Sequence, residues 1–120
     1  MEGTDIKKWD LVMVDLKGAI GSEQKNKRPC LVISNDIGNK FSPIIIVLPF
    51  TSELKKIEMP THTLVQKNQQ NGLKMDSMLL AEQPRTVDKR RVLRKLGRVS
   101  DLQTKRKIVD AFKAAMLTDE

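Results

Sequence analysis

Ile44 to Phe50 (IIIVLPF) is the longest apolar run in the chain. Its β-branched residues favour extended backbone, and its shortness suits a strand buried in the middle of a sheet better than a helix. It also falls far short of the ~20 residues that a bilayer-crossing helix needs. Shorter runs flank it. Leu11 to Leu16 (LVMVDL) alternates imperfectly and reads as a strand, and Pro29 opens another at Cys30 to Ser34 (CLVIS), proline being tolerated at a first strand position. Asn35 to Pro43 is a turn cluster, Thr61 to Val65 a weaker strand, and Ser77 to Ala81 (SMLLA) a further buried run. Several short strands in succession predict a mainly β fold, a small barrel or sandwich. Over Val87 to Val99 the signals conflict, and either a helix or a helical turn followed by a strand fits. The last segment is clearer: Ser100-Asp101-Leu102-Gln103 has the form of a capping box, and Leu102, Val109, Phe112 and Met116 share one helical face.

With 120 residues and 39% apolar content, one hydrophobic core is all the chain can bury, so residues 1–120 are expected to form a single domain. Twenty-two Lys and Arg against fifteen Asp and Glu give +7, a balance that favours a polyanionic partner, nucleic acid first. The excess sits in the second half, where thirteen basic residues face seven acidic ones, against nine and eight in residues 1–60. Seven of these cations (Arg85, Lys89, Arg90, Arg91, Arg94, Lys95, Arg98) fall within 14 positions that hold one acid, Asp88, a run that is either a solvated face or a phosphate contact. Four aromatics, Trp9, Phe41, Phe50 and Phe112, are too few for base stacking on an aromatic platform. Cys30 is the only cysteine and His62 the only histidine, which leaves no internal disulfide and no zinc set; the expectation is a cytoplasmic protein without metal or cofactor. The absence of a charged leader before a hydrophobic core argues against secretion.

One histidine cannot supply the two-histidine acid and base pair of many small ribonucleases, and no Asp or Glu cluster suggests magnesium. A different constellation stands at the strand ends: Gly21-Ser22-Glu23-Gln24 in a loop, Arg28-Pro29 entering a strand, Thr51-Ser52 leaving the next, and Glu82-Gln83-Pro84-Arg85-Thr86 after a later one. One rim of a barrel would gather them. Taken singly they are ordinary, since an Arg before a strand is usually a solvated rim charge and a Thr at a strand end a capping hydroxyl.

Together these stretches resemble the MazF/PemK family of toxins. The likeness runs through DLVMVDL (10–16), GSEQ (21–24), RPCLVISN (28–35), Ser42-Pro43, PFTS (49–52), Pro60-Thr61-His62, Asp76-Ser77 and EQPRTVDK (82–89), in the family's order across almost the whole chain. The resemblance implies a CcdB/PemK-type fold, an SH3-like β-barrel with a C-terminal amphipathic helix, assembled as a homodimer. It places a short helical turn at Asp88 to Val92 and a strand through Gly97. It further implies a sequence-specific, metal-independent endoribonuclease that cuts single-stranded messenger RNA by 2′-hydroxyl attack, leaving 2′,3′-cyclic phosphate and 5′-hydroxyl ends. The family's catalytic Arg and Thr fall on Arg28 and Thr51, and RNA contacts on Ser22, Gln24, Ser52, His62, Gln83, Arg85 and Thr86. An acidic antitoxin's C-terminal tail would fill the same groove.

The residue types suit that reaction. A guanidinium is planar, permanently charged and bidentate toward phosphoryl oxygens, but with a pKa above ~12 it is a poor base. Arg28 is therefore assigned to transition-state charge and to proton donation at the leaving oxygen, Thr51 to a phosphate hydrogen bond, and Glu23, the one nearby carboxylate, to the base. His62 reads as a structural hydrogen-bonder or an RNA contact, and Cys30 and the six Met as filling. Two departures from the family stand out: Lys25-Asn26 replaces a usual Gly-Gly, and Trp9 a usual Gly, with Asn26 able to supply part of the lost positive-φ freedom. Rival expectations are a gyrase-binding toxin of the CcdB kind, or a basic RNA-binding barrel without turnover.

Overall fold

A computed structural model describes residues 6–18, 21, 26–54 and 58–116. Seven strands and two helices run in the order β1 (Asp10–Asp15), β2 (Lys27–Val32), α1 (Asp36–Phe41), β3 (Ile44–Thr51), β4 (His62–Val65), β5 (Ser77–Leu80), β6 (Arg85–Asp88), β7 (Val92–Arg98) and α2 (Leu102–Met116). The strands form one antiparallel sheet in the order β4-β5-β3-β2-β1-β7, with β6 also on β3. The expected barrel takes the form of a sheet that is not closed. The apolar run explains the branching. β3 is long enough to take β6 along Ile44 to Val47 and β5 along Phe50 and Thr51, while β2 pairs with Val47 to Pro49.

Alternation along the strands sorts the core into two clusters. Leu11, Leu31, Leu48 and Phe50 meet Leu79, Val99, Ile108 and Ala111 on the face that α2 covers. Val12, Val14, Cys30, Val32, Ile45 and Val47 gather with Leu16, Val87 and Val92 on the other.

Four local expectations are corrected. Asn35 to Pro43 is not only a turn: Asn35 Oδ1 accepts the Gly38 N–H at 2.8 Å and starts α1. β2 begins at Lys27, so Pro29 lies inside it, ahead of the first β3 pair at Cys30, and its missing N–H removes no rung of the β2–β3 ladder. α2 is capped by Asp101, whose Oδ2 accepts the Thr104 N–H at 2.9 Å, while Ser100 donates to Gln70. Its buried face is also rotated by one position from the expected stripe, to Ile108 and Ala111, with Leu102 left 62% exposed. Between β6, which the sequence reading did not separate, and β7 lies a 3₁₀ turn at Lys89–Arg91, matching the helical turn and strand that the family resemblance implied.

Of the three positions where the resemblance expects glycine, Trp9 and Asn26 adopt positive φ, 76° and 71°, and Lys25 lies outside the described residues. Trp9 is held there by its N–H on the Val32 carbonyl and its carbonyl under Val99 N–H, both 2.9 Å. Two true glycines serve close approach instead. A Cβ at Gly72 would stand 2.1 Å from the Leu96 oxygen, and one at Gly97 would stand 2.2 Å from the Gln70 oxygen, so β7 and the 66–72 loop touch backbone to backbone. Gly97→Ala should cost about 3 kcal/mol through that overlap, read as a lowered urea midpoint at unchanged slope.

Candidate active site

The expected catalytic residues meet at the end of β3. Val14 pairs with Arg28, and Thr51 with Met78, which pairs with Leu64. The β2–β3 pairing ends at Cys30–Pro49, two residues short of Arg28 and Thr51, and what brings Arg28 to the end of β3 is a side-chain bond to the residue next to Thr51. The half-buried Arg28 donates from Nη1 to the Phe50 carbonyl at 3.2 Å, which ties the guanidinium to the end of β3. Thr51 is 7% exposed, and its Oγ1 accepts the Glu53 N–H at 3.1 Å, so the hydroxyl proton is directed to another acceptor. A permanent cation and a hydroxyl donor at the same strand end are the groups needed to hold a phosphoryl oxygen.

Cys30 reports the same field. Burial pushes its thiol up from 9.0 to about 12, while the Arg28 and Arg85 guanidiniums pull the other way. A raised thiol pKa contributes stability that is complete below pH 9 and lost as the pH rises toward 12. Cys30→Ala should remove that slope, so the gap between its urea midpoint and that of the wild type narrows from pH 8 to pH 11.

The remaining expected site residues divide. Gln83 and Arg85 line a cavity of about 320 Å³ with Cys30, Val47, Pro49 and Glu82. Arg85 is also an anchor: Nη1 and Nη2 donate to the Leu16 and Lys17 carbonyls at 3.0 and 2.5 Å, fixing the chain that follows β1. His62 lies on β4, three strands from β2 in the sheet, with its side chain 7% exposed and Nε2 2.7 Å from Glu82 Oε2. Thr86 alternates to the opposite side of β6 and lines a separate apolar groove with Trp9, Ile46 and Phe112. Ser52 is exposed beside Arg28. Ser22, Glu23 and Gln24 lie outside the described residues.

Most of the basic run is partnered within the chain, with side chains that remain at the surface. Arg91 joins Arg85 on the Lys17 carbonyl at 3.0 Å, Arg90 pairs with Asp88 at 3.1 Å, and Lys95 and Arg98 reach the fully buried Asp10 at 3.3 and 3.7 Å. Lys89 and Arg94 pair with no carboxylate among the described residues. Sequence reasoning missed Lys27 and Lys74, which line a cavity with Arg28 and with Arg94 of the basic run. Only Lys27, adjacent to Arg28, carried a local hint. Among the described residues, no three of His, Cys, Asp and Glu are grouped to hold a metal ion.

An open antiparallel sheet backed by one amphipathic helix, with the Arg28 guanidinium fastened at the end of β3 beside Thr51, defines a small open-sheet β protein. The chain belongs to the PemK-like, MazF-like toxins of type II toxin-antitoxin systems, whose family model matches residues 7–115. It is 43% identical over 96 residues to endoribonuclease EndoA of Bacillus subtilis (strain 168), covering 80% of this chain and 82% of that protein. Its fold is shared with MazF from Deinococcus radiodurans, at a TM-score of 0.78 and 20% identity over 94% of this chain and 97% of that one. A mycobacterial endoribonuclease, solved in complex with its cognate antitoxin, is similar at a TM-score of 0.76 and 20% identity over 96% and 99%.

Proposed function

We propose that this endoribonuclease toxin cuts single-stranded RNA at a preferred short sequence, without a metal ion, at Arg28 and Thr51. The observation that supports the reading is the Arg28 guanidinium fastened to the Phe50 carbonyl, one residue before Thr51. In the reaction the 2′-oxygen forms a bond to phosphorus and the bond to the 5′-oxygen breaks. Arg28 offsets the charge that grows on the phosphoryl oxygens and is placed to protonate the leaving oxygen, Thr51 donates a hydrogen bond to the same phosphate, and Glu23 takes the 2′-hydroxyl proton. The products are a 2′,3′-cyclic phosphate and a 5′-hydroxyl. RNA contacts from Ser22, Gln24, Ser52 and Gln83 extend the site, and a second copy of the chain completes the groove. The partner that silences it is an antitoxin with an acidic tail, in keeping with the +7 charge. The cytoplasm is the proposed compartment.

Incubation with mixed-sequence RNA in EDTA tests the reading. Cuts at one recurring short motif, with cyclic phosphate on the upstream fragment, are the expected result. Intact RNA, or cleavage restored only by added divalent ions, would overturn it.

A further inference from the structure

The cavity on the other side of Arg28 has a composition that none of the residues expected from the sequence explains. It measures about 290 Å³ and combines an apolar floor, which includes Met13, Pro29, Phe50 and Leu96, with the four cations Lys27, Arg28, Lys74 and Arg94 and no carboxylate. The floor is built by register. Arg94 pairs with Met13 and Met13 with Pro29, so one row crosses the three neighbouring strands β7, β1 and β2, and Phe50 of β3, whose carbonyl holds Arg28, lines the cavity with them. The backbone contact at Gly72 and Gly97 seats the 73–75 segment over that row, with Met75 59% exposed at its mouth. An apolar slot under a ring of cations suits a flat heterocycle tethered to phosphates better than it suits an acidic peptide, whose carboxylates match the rim but leave the floor unfilled. Methionine thioethers pack well against aromatic rings.

We infer that this cavity is a base subsite: the nucleobase next to the cleaved phosphate enters it, Lys27, Lys74 and Arg94 hold the flanking backbone, and sequence preference at that nucleotide is set here. The inference rests on the ribonuclease reading and names residues that the reading does not need.

The test pairs an abasic scan with pocket variants. RNA oligonucleotides containing one cut site are made with a single abasic residue at each position in turn, and kcat/KM is measured for wild type, Met75→Ala and Lys74→Ala/Arg94→Ala. All three substitutions are at exposed side chains, and an unchanged circular dichroism melt confirms folding. For the wild type, removal of the base at one position adjacent to the cut should lower kcat/KM about ten- to a hundredfold. In Met75→Ala that loss should shrink at the same position and nowhere else. The double variant should raise KM at every position while preserving the pattern. An abasic profile identical in wild type and Met75→Ala overturns the subsite and leaves the ribonuclease reading standing, whereas a wild type that cuts no RNA overturns both.

Discussion

Arg28→Ala should cleave RNA about 10²- to 10³-fold more slowly than the wild type while remaining folded, with the loss in kcat rather than KM. Folding survives because the side chain is only half-buried at the start of β2, where a bond such as its donation to the Phe50 carbonyl is worth about 1 kcal/mol net. Turnover does not, because the charge that Arg28 meets exists only as the 2′-oxygen adds to phosphorus. Arg28→Lys separates fork from charge: an ammonium keeps the cation but cannot bond the Phe50 carbonyl and two phosphoryl oxygens in one plane, so it should recover only a small part of the rate. Thr51→Val, which preserves shape and removes the donor, should lie between the two. Burst kinetics on a single-site oligonucleotide measures all three, and wild-type turnover by a folded Arg28→Ala protein would remove the assignment.

The parts of the fold that the residues disclose are those in which local pattern and tertiary environment agree. β3 is legible because Ile44 to Phe50 is rich in β-branched residues and is buried without break from Val47 to Phe50, although Ile44 and Ile46 are exposed. α1 is not, because Ile37 and Phe41 are each 76% exposed and a six-residue helix has no stripe to show; only Asn35 hints at it, as a cap. α2 was read as a helix but turned by one residue, since Leu102 and Met116 look like core and are not, while the small Ala111 is. At the site, Arg28 and Thr51 are unremarkable by residue type and stood out through the family motif. Arg85 matched the motif too, yet its anchoring of Leu16 and Lys17 spans 69 and 68 positions of sequence, a relation that no local pattern encodes. The cationic cavity was hidden for the same reason, as its rim is collected from β2, β7 and the 72–75 loop.

Salt measures how much of the positive charge reaches RNA. For single strands, each neutralised phosphate contributes a slope of about −0.7 in log affinity against log salt. If the full run from Arg85 to Arg98 met phosphates, its seven cations would weaken binding roughly nine-hundredfold between 50 and 200 mM. The internal bonds of Arg85, Arg90, Arg91, Lys95 and Arg98 argue otherwise. Breaking them would expose the Leu16 and Lys17 carbonyls and leave Asp10, which is fully buried, without its cations, a cost that a phosphate contact at the surface does not return. The four cations around the cavity instead predict a loss of about fiftyfold over that interval. The measurement uses an RNA with a 2′-deoxy residue at the cut, so that binding is read without turnover. Lys74→Ala/Arg94→Ala should reduce the slope by about 1.4, and Arg90→Ala should not change it. A loss near nine-hundredfold would mean that the run rearranges onto RNA, and a flat response would deny phosphate contact altogether.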